Sequence, residues 1–173
     1  MALVPEIVLP RLRGTFGRPY LHAPETATTM SMAGPDASHG TVALAEHQTA
    51  GRGRLGRIWV DEPGTGLALS VVLRPPPPMT RWPELTLVAA EAVRAAIGPE
   101  ATIKDPNDIL VDGRKVAGIL AEATDHVVLG IGVNIGEAPW PGAGAVECNR
   151  LELLVEVLDR LEHGYDEWLS GLH

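Results

Sequence analysis

The chain has 173 residues, 45% apolar and 21% charged, which suits a single globular domain with a substantial core. Lys and Arg total 14 against 22 Asp and Glu, a formal net charge of -8 that disfavours general binding to a nucleic-acid polyanion. The lone Cys148 excludes an intrachain disulfide, no Cys/His spacing suits zinc, and no apolar run is long enough to cross a bilayer. The N-terminus lacks the basic region and apolar run of a signal peptide, so the expectation is a cytoplasmic protein with no membrane partner.

Residues 1–17, with Pro5, Pro10, Gly14 and Gly17, read as an irregular lead-in to one domain over 18–173. Short strands are expected at 18–23 and 41–46. The glycine- and arginine-rich segment after His47 reads as irregular, because glycine dilutes both helix and strand preference. A strong strand at 66–74 stops at the proline run Pro75 to Pro78. Leu85, Val88, Ala89, Ala92 and Ala96 trace one face of a helix over 83–97, ended by Gly98-Pro99. Strands follow at 101–104, 108–111, 114–122 and 126–135, with Asp112-Gly113 as a tight hairpin turn. After a loop at 139–144, Leu151, Leu154, Val155, Leu158, Leu161, Tyr165 and Trp168 form the apolar stripe of a last helix. Hairpins mean antiparallel pairs, so the class is α+β.

Three segments carry chemistry. The first runs from Gln48 through Gly51, Arg52, Gly53, Arg54, Gly56 and Arg57 to Trp59. Its glycines let backbone approach a ligand, and its guanidinium forks suit phosphate oxygens. Binding an anion would neutralise the arginines and order a loop that is mobile when empty. A solvated basic loop or a small nucleic-acid patch is the competing reading of the segment alone. The second joins Lys104-Asp105-Pro106-Asn107-Asp108 to Gly113-Arg114-Lys115-Val116-Ala117-Gly118-Ile119-Leu120. Here Lys115 lies across the hairpin from the bend and could offset negative charge in a transition state, and Asp108 could hold magnesium or a cation. A proline turn with a surface salt-bridge lysine explains the same residues. In the third, Gly130 and Gly132 share a strand face with room for a flat ligand, and the Asn134 amide suits a ring edge such as adenine. Close packing against glycine is the alternative there. His47, nearest a motif, reads as structural, with no evident partner for base catalysis.

In this order and combination, QTAGRGRLGRIW, KDPND, GRKVAGIL and GIGVNI resemble the catalytic domain of the biotin protein ligases. Thr28-Thr29-Met30 is a weaker fourth element. The resemblance covers roughly residues 19–169. It implies the fold shared by biotin and class II aminoacyl-tRNA synthetases: a mixed, largely antiparallel sheet with helices mainly on one face. It implies an enzyme that activates biotin with ATP and Mg2+ to biotinyl-5'-AMP, then transfers the biotin to a lysine of a biotin carboxyl carrier protein. By the same resemblance Arg54, Lys115 and Arg52 are catalytic. Thr28, Thr29, Gln48, Gly51, Arg52, Trp59, Gly118, Leu120, Gly130 and Gly132 bind biotin. Arg54, Arg57, Asn107, Asp108, Lys115 and Asn134 serve the nucleotide, with Asp108 as a magnesium ligand. A homodimer stays open as an arrangement.

The chain departs from the family at Asp105, where a tryptophan is usual. The carboxylate either points into the cleft and repels an adenylate phosphate, or turns outward and pairs with a neighbouring cation. Neither an N-terminal helix-turn-helix nor a C-terminal β-barrel, both found in relatives, is expected, and so no repressor role. Two rivals stay open: a lipoate or octanoate ligase or transferase, for which Cys148 is the sole acyl-accepting candidate, and a non-catalytic biotin- or nucleotide-binding paralogue.

Overall fold

The computed structural model describes residues 1–172. A seven-stranded sheet, in the order β1-β2-β5-β9-β8-β7-β6, is built from β1 (Tyr20–Ala23), β2 (Val42–Ala45), β5 (Leu67–Leu73), β6 (Ala101–Lys104), β7 (Asp108–Val111), β8 (Arg114–Ala123) and β9 (Val127–Val133). Only β1 and β2 are parallel; every other neighbouring pair is antiparallel. Helices α2 (Glu84–Ile97) and α3 (Arg150–Ser170) pack on each other, and α2 also meets β6, β7 and β8. The α+β class expected from the hairpins is the one observed. Asp112 and Gly113 have φ of 52° and 73°, as a tight two-residue hairpin requires. The end of the expected domain, His173, lies outside the described residues.

The two faces of the sheet differ in side-chain size. Cross-strand partners share a face. Leu44, Leu69, Ile131 and Ile119 form one row across β2, β5, β9 and β8, and Val42, Val71, Leu129 and Ala121 form the next. Apart from Ala121 at the end of the second row, these side chains are large and build the core with Leu85, Ala89 and Val93 of α2 and Leu154, Leu158 and Leu161 of α3. On the opposite face the rows read Ala45, Ala68, Gly132, Gly118 and Ala43, Ser70, Gly130, Leu120. Leu120 apart, that face is a floor of small residues on which bulky side chains from elsewhere can lie.

Two expectations about irregular segments are corrected. Residues 1–17 include a short helix α1 (Pro5–Val8) and a 3-10 turn (Leu9–Arg11), and Leu3, Val8 and Phe16 are buried. Pro5 stands at the first helical position, where its missing N–H costs nothing. The glycine/arginine segment forms a small hairpin of β3 (Gly51–Arg52) and β4 (Ile58–Trp59) around a 3-10 turn. Leu55 and Gly56, at φ of 56° and 74°, reverse the chain there.

Candidate active site

The hairpin β3–β4 folds over the small-residue face and lays Trp59 on it. A Cβ at Gly132 would lie 2.4 Å from Trp59 Cε2, and one at Gly118 would lie 3.3 Å from Trp59 Cζ3. Met30 occupies the neighbouring place: a Cβ at Gly130 would stand 2.6 Å from its sulfur. The glycines are thus needed for close approach of bulky side chains to the strand backbone. The cleft that remains is about 40 Å³, room for roughly three waters.

One wall of the cleft carries charge. In β7–β8 the register shifts, so that Ile109 pairs with Ala117 but Leu110 with Lys115. The extra residue, Val116, is a bulge that turns Lys115 to the same side as Gly118. The Lys115 ammonium lies 2.9 Å from an Asp108 carboxylate oxygen and 5.6 Å from the Trp59 ring centroid. Arg54 Nη1 donates to Asn107 Oδ1 at 3.4 Å, while Asn107 Nδ2 donates to the Ile119 carbonyl at 3.0 Å. Arg52 reaches Glu122 at 2.9 Å.

The other wall is polar and neutral. The Thr29 hydroxyl shares a 2.7 Å hydrogen bond with the Ser70 hydroxyl of the floor. The Thr29 N–H donates to Gln48 Oε1 at 2.9 Å, and the Met30 N–H donates to the Thr28 hydroxyl oxygen at 3.3 Å. With Gln48 Oε1 committed to Thr29, the Nε2 donors are the free end of that amide.

Most of the expected site residues meet in this one cleft. Thr28, Thr29, Gln48, Arg52, Arg54, Trp59, Asn107, Lys115, Gly118, Leu120, Gly130 and Gly132 all line it. Four do not. Gly51 lies behind the lining, where a Cβ would stand 2.5 Å from the Trp59 carbonyl oxygen. Arg57 is exposed on the hairpin, outside the lining. Asn134 is buried away from it, with its Nδ2 donating to the Gly144 carbonyl at 3.0 Å. Asp108 is engaged with Lys115, and among the described residues no cluster of three or more His, Cys, Asp or Glu could hold a metal. Asp108 thus stands beside the cleft, with its carboxylate against the Lys115 ammonium.

Of the other lining residues only Leu69 lies outside the motifs; the rest sit within them without an assigned role. Met30, Gly53, Leu69, Ile119 and Ile131 also line the cleft. Met30 follows Thr28-Thr29 directly, but nothing local signals that it covers Gly130. His47, read as structural from the sequence, is tied to a carboxylate: its Nδ1 is 2.6 Å from Asp61 Oδ1. Asp105 is exposed, lies outside the cleft lining and forms no ion pair among the described residues. Cys148 also lies outside the lining, and burial together with Glu147 and Glu152 pushes its thiol pKa up.

The sequence profile of the biotin/lipoate A/B protein ligase family matches residues 19–134, which carry the motifs up to Asn134 and the whole cleft lining. The chain belongs to this family. Its sequence is 42% identical over 122 residues to the bifunctional ligase/repressor BirA of Bacillus subtilis, covering 65% of this chain and 38% of that one. To the biotin–[acetyl-CoA-carboxylase] ligase of Mycobacterium tuberculosis it is 46% identical over 109 residues, 58% of this chain and 41% of that one. The chain thus spans about two fifths of the length of these curated relatives. Among solved structures, the Aquifex aeolicus biotin protein ligase in complex with biotin and ATP superposes with a TM-score of 0.73 at 27% identity, covering 87% of this chain and 71% of that one. The Leishmania major biotin protein ligase in complex with biotinyl-5-AMP gives 0.70 at 26% identity, over 88% and 76%.

Proposed function

We propose that this chain activates biotin with MgATP to biotinyl-5'-AMP and passes the biotinyl group to a lysine of a biotin carboxyl carrier protein. The observation that carries the reading is the convergence of Arg54, Lys115 and Asn107 with the Thr28–Thr29–Gln48 wall above one small-residue floor. The relatives named for biotin ligation support it.

A carboxylate is a poor electrophile until one of its oxygens becomes a good leaving group. A biotin carboxylate oxygen attacks the α-phosphorus of ATP, and pyrophosphate departs. Negative charge crowds at that step, and fixed cations aimed at it stabilise the transition state. Arg54 and Lys115 supply them from one wall. Magnesium enters with ATP as part of the substrate, its coordination largely from phosphates. The Gln48 Nε2 donors and the threonine hydroxyls suit the ureido ring at the neutral wall. Trp59 and Met30 cover the floor in the free chain, and Trp59 is carried by the β3–β4 hairpin, so entry of biotin requires the tip of that hairpin to shift. Once closed over the anhydride, that hairpin would keep water out until the carrier amine attacks the carbonyl carbon and AMP leaves.

The test is a mixture of protein, biotin and MgATP, assayed for pyrophosphate and for biotinyl-adenylate retained on the protein. Both are expected. A chain that retains biotin and releases no pyrophosphate is a binding paralogue. One that ignores biotin and takes lipoate or octanoate belongs to the other branch of the family.

A further inference from the structure

Asp61 stands outside the cleft but ends a chain of hydrogen bonds that reaches into it. It follows β4 closely, and its side chain is only 10% exposed. A carboxylate this buried needs donors. Asp61 Oδ1 lies 2.6 Å from His47 Nδ1, and the Gln48 main-chain N–H donates to both carboxylate oxygens at 3.3 Å. Both donors precede the glycine/arginine hairpin and the acceptor follows it, so Asp61 closes the hairpin at its base. A main-chain bond from the Gly64 N–H to the Glu46 carbonyl, 2.9 Å, is a second tie across the same base.

The closure bears on the cleft through Gln48. That residue is held from three sides. Its main-chain N–H is fixed by Asp61, and its Oε1 accepts from the Thr29 N–H at 2.9 Å. Its Nε2 packs beside Gly51, where a Cβ would be 2.9 Å away. The orientation of the amide therefore depends on where Asp61 holds the Gln48 backbone. The same closure fixes the start of the strand pair that lays Trp59 over Gly132.

Resting on the reading of this cleft as a biotin site, we infer that Asp61 is a positioning residue for biotin, setting the Gln48 amide through the His47 ring and the Gln48 main chain. It touches no reacting atom. Its loss weakens capture of the neutral ring end of the substrate and leaves the phosphate chemistry of Arg54 and Lys115 in place.

The experiment compares wild type, Asp61→Ala, Asp61→Asn and His47→Ala in pyrophosphate release, with separate KM values for biotin and ATP. Direct biotin titration without ATP accompanies it. Asp61→Ala is expected to raise the biotin KM about tenfold or more, with kcat and the ATP KM within about threefold of wild type. Asp61→Asn keeps one acceptor oxygen and is expected to recover part of the loss, to about a threefold effect. A biotin KM for Asp61→Ala within about twofold of wild type overturns the inference, as does an equal loss in kcat and in both KM values. If Asp61→Ala does not fold, Asp61→Asn and His47→Ala decide by the same split: a raised biotin KM alone supports the inference, and an unchanged one overturns it. A wild type that binds no biotin removes the underlying reading; a wild type and Asp61→Ala that bind it equally remove only this one.

Discussion

Lys115 and Gly118 face the same side of β8 although three residues separate them: a Cβ at Gly118 would lie 3.2 Å from Lys115 Cε. In a regular strand, positions i and i+3 point to opposite faces. The bulge at Val116 removes that alternation and delivers the ammonium to the cleft. Lys115→Ala should therefore lower adenylate formation by about 10²–10³-fold, the usual loss when one preorganised charge-stabilising group is removed. The side chain is 35% exposed and its ion pair with Asp108 is near the surface, so the melting temperature should barely move. Single-turnover kinetics and a thermal melt of the same preparation check both halves.

Two glycine substitutions should part company. Gly132→Ala puts a methyl group 2.4 Å from Trp59 Cε2, and the backbone beneath it cannot retreat in the middle of the sheet. The expected cost is about 1–3 kcal/mol of stability, as Trp59 is pushed off the floor. At Gly34 a Cβ would meet nothing within 4 Å, and Gly34→Ala should lie within about 0.5 kcal/mol of wild type. Urea unfolding of both variants tests the contrast.

Glu46 ties the N-terminal segment to α3. Its carboxylate receives hydrogen bonds from His22 and Arg150 and from the Leu3 N–H, each 2.8 Å. Burial by itself raises its pKa, but those donors together outweigh burial and hold it below the ordinary 4.5. A depressed folded pKa gives stability that is present above the unfolded value and lost as pH falls through the folded one. Stability should therefore decline as pH drops below about 4.5. Glu46→Gln should cost about 1.5–3 kcal/mol at neutral pH and flatten that decline. Denaturation midpoints across the acid range measure it.

The three hairpin arginines also report on ordering. Arg52, Arg54 and Arg57 are exposed in the free chain, so trypsin should cut there first. Biotin with MgATP should slow that cleavage by about tenfold or more as the hairpin closes over the adenylate. Mass spectrometry of the earliest fragments gives the answer.

Cys148 should be dispensable. Its thiol is pushed up in pKa and lies outside the cleft lining, so little thiolate is present to act as an acyl acceptor. Cys148→Ser should keep full activity in pyrophosphate release; a large loss would favour the transferase branch of the family.

Much of the architecture was legible along the chain. Alternating and continuous apolar runs marked each main strand to within a residue or two, and the stripes through Leu85 and Leu154 marked both long helices, because periodicity is a local property. Asp112-Gly113 announced its hairpin for the same reason: positive φ selects those residues. The helix at Pro5 and the short β3–β4 pair were not legible, since proline and glycine lower local preference while burial of Leu3 and the close approach of Gly51 to Trp59 are settled at a distance.

The sequence by itself determined which chemical groups are available: the Gly/Arg segment, Lys115, Asn107, the two threonines and the paired glycines, each at a spacing that local chemistry could interpret. Only the tertiary structure decided which of them face one another. Cross-strand register set the small residues of four strands in rows, a single bulge turned Lys115 inward, and Asn134 was drawn away to hold Gly144. Such outcomes depend on contacts between residues far apart in the chain, where a one-residue change in pairing reverses the face of every side chain beyond it.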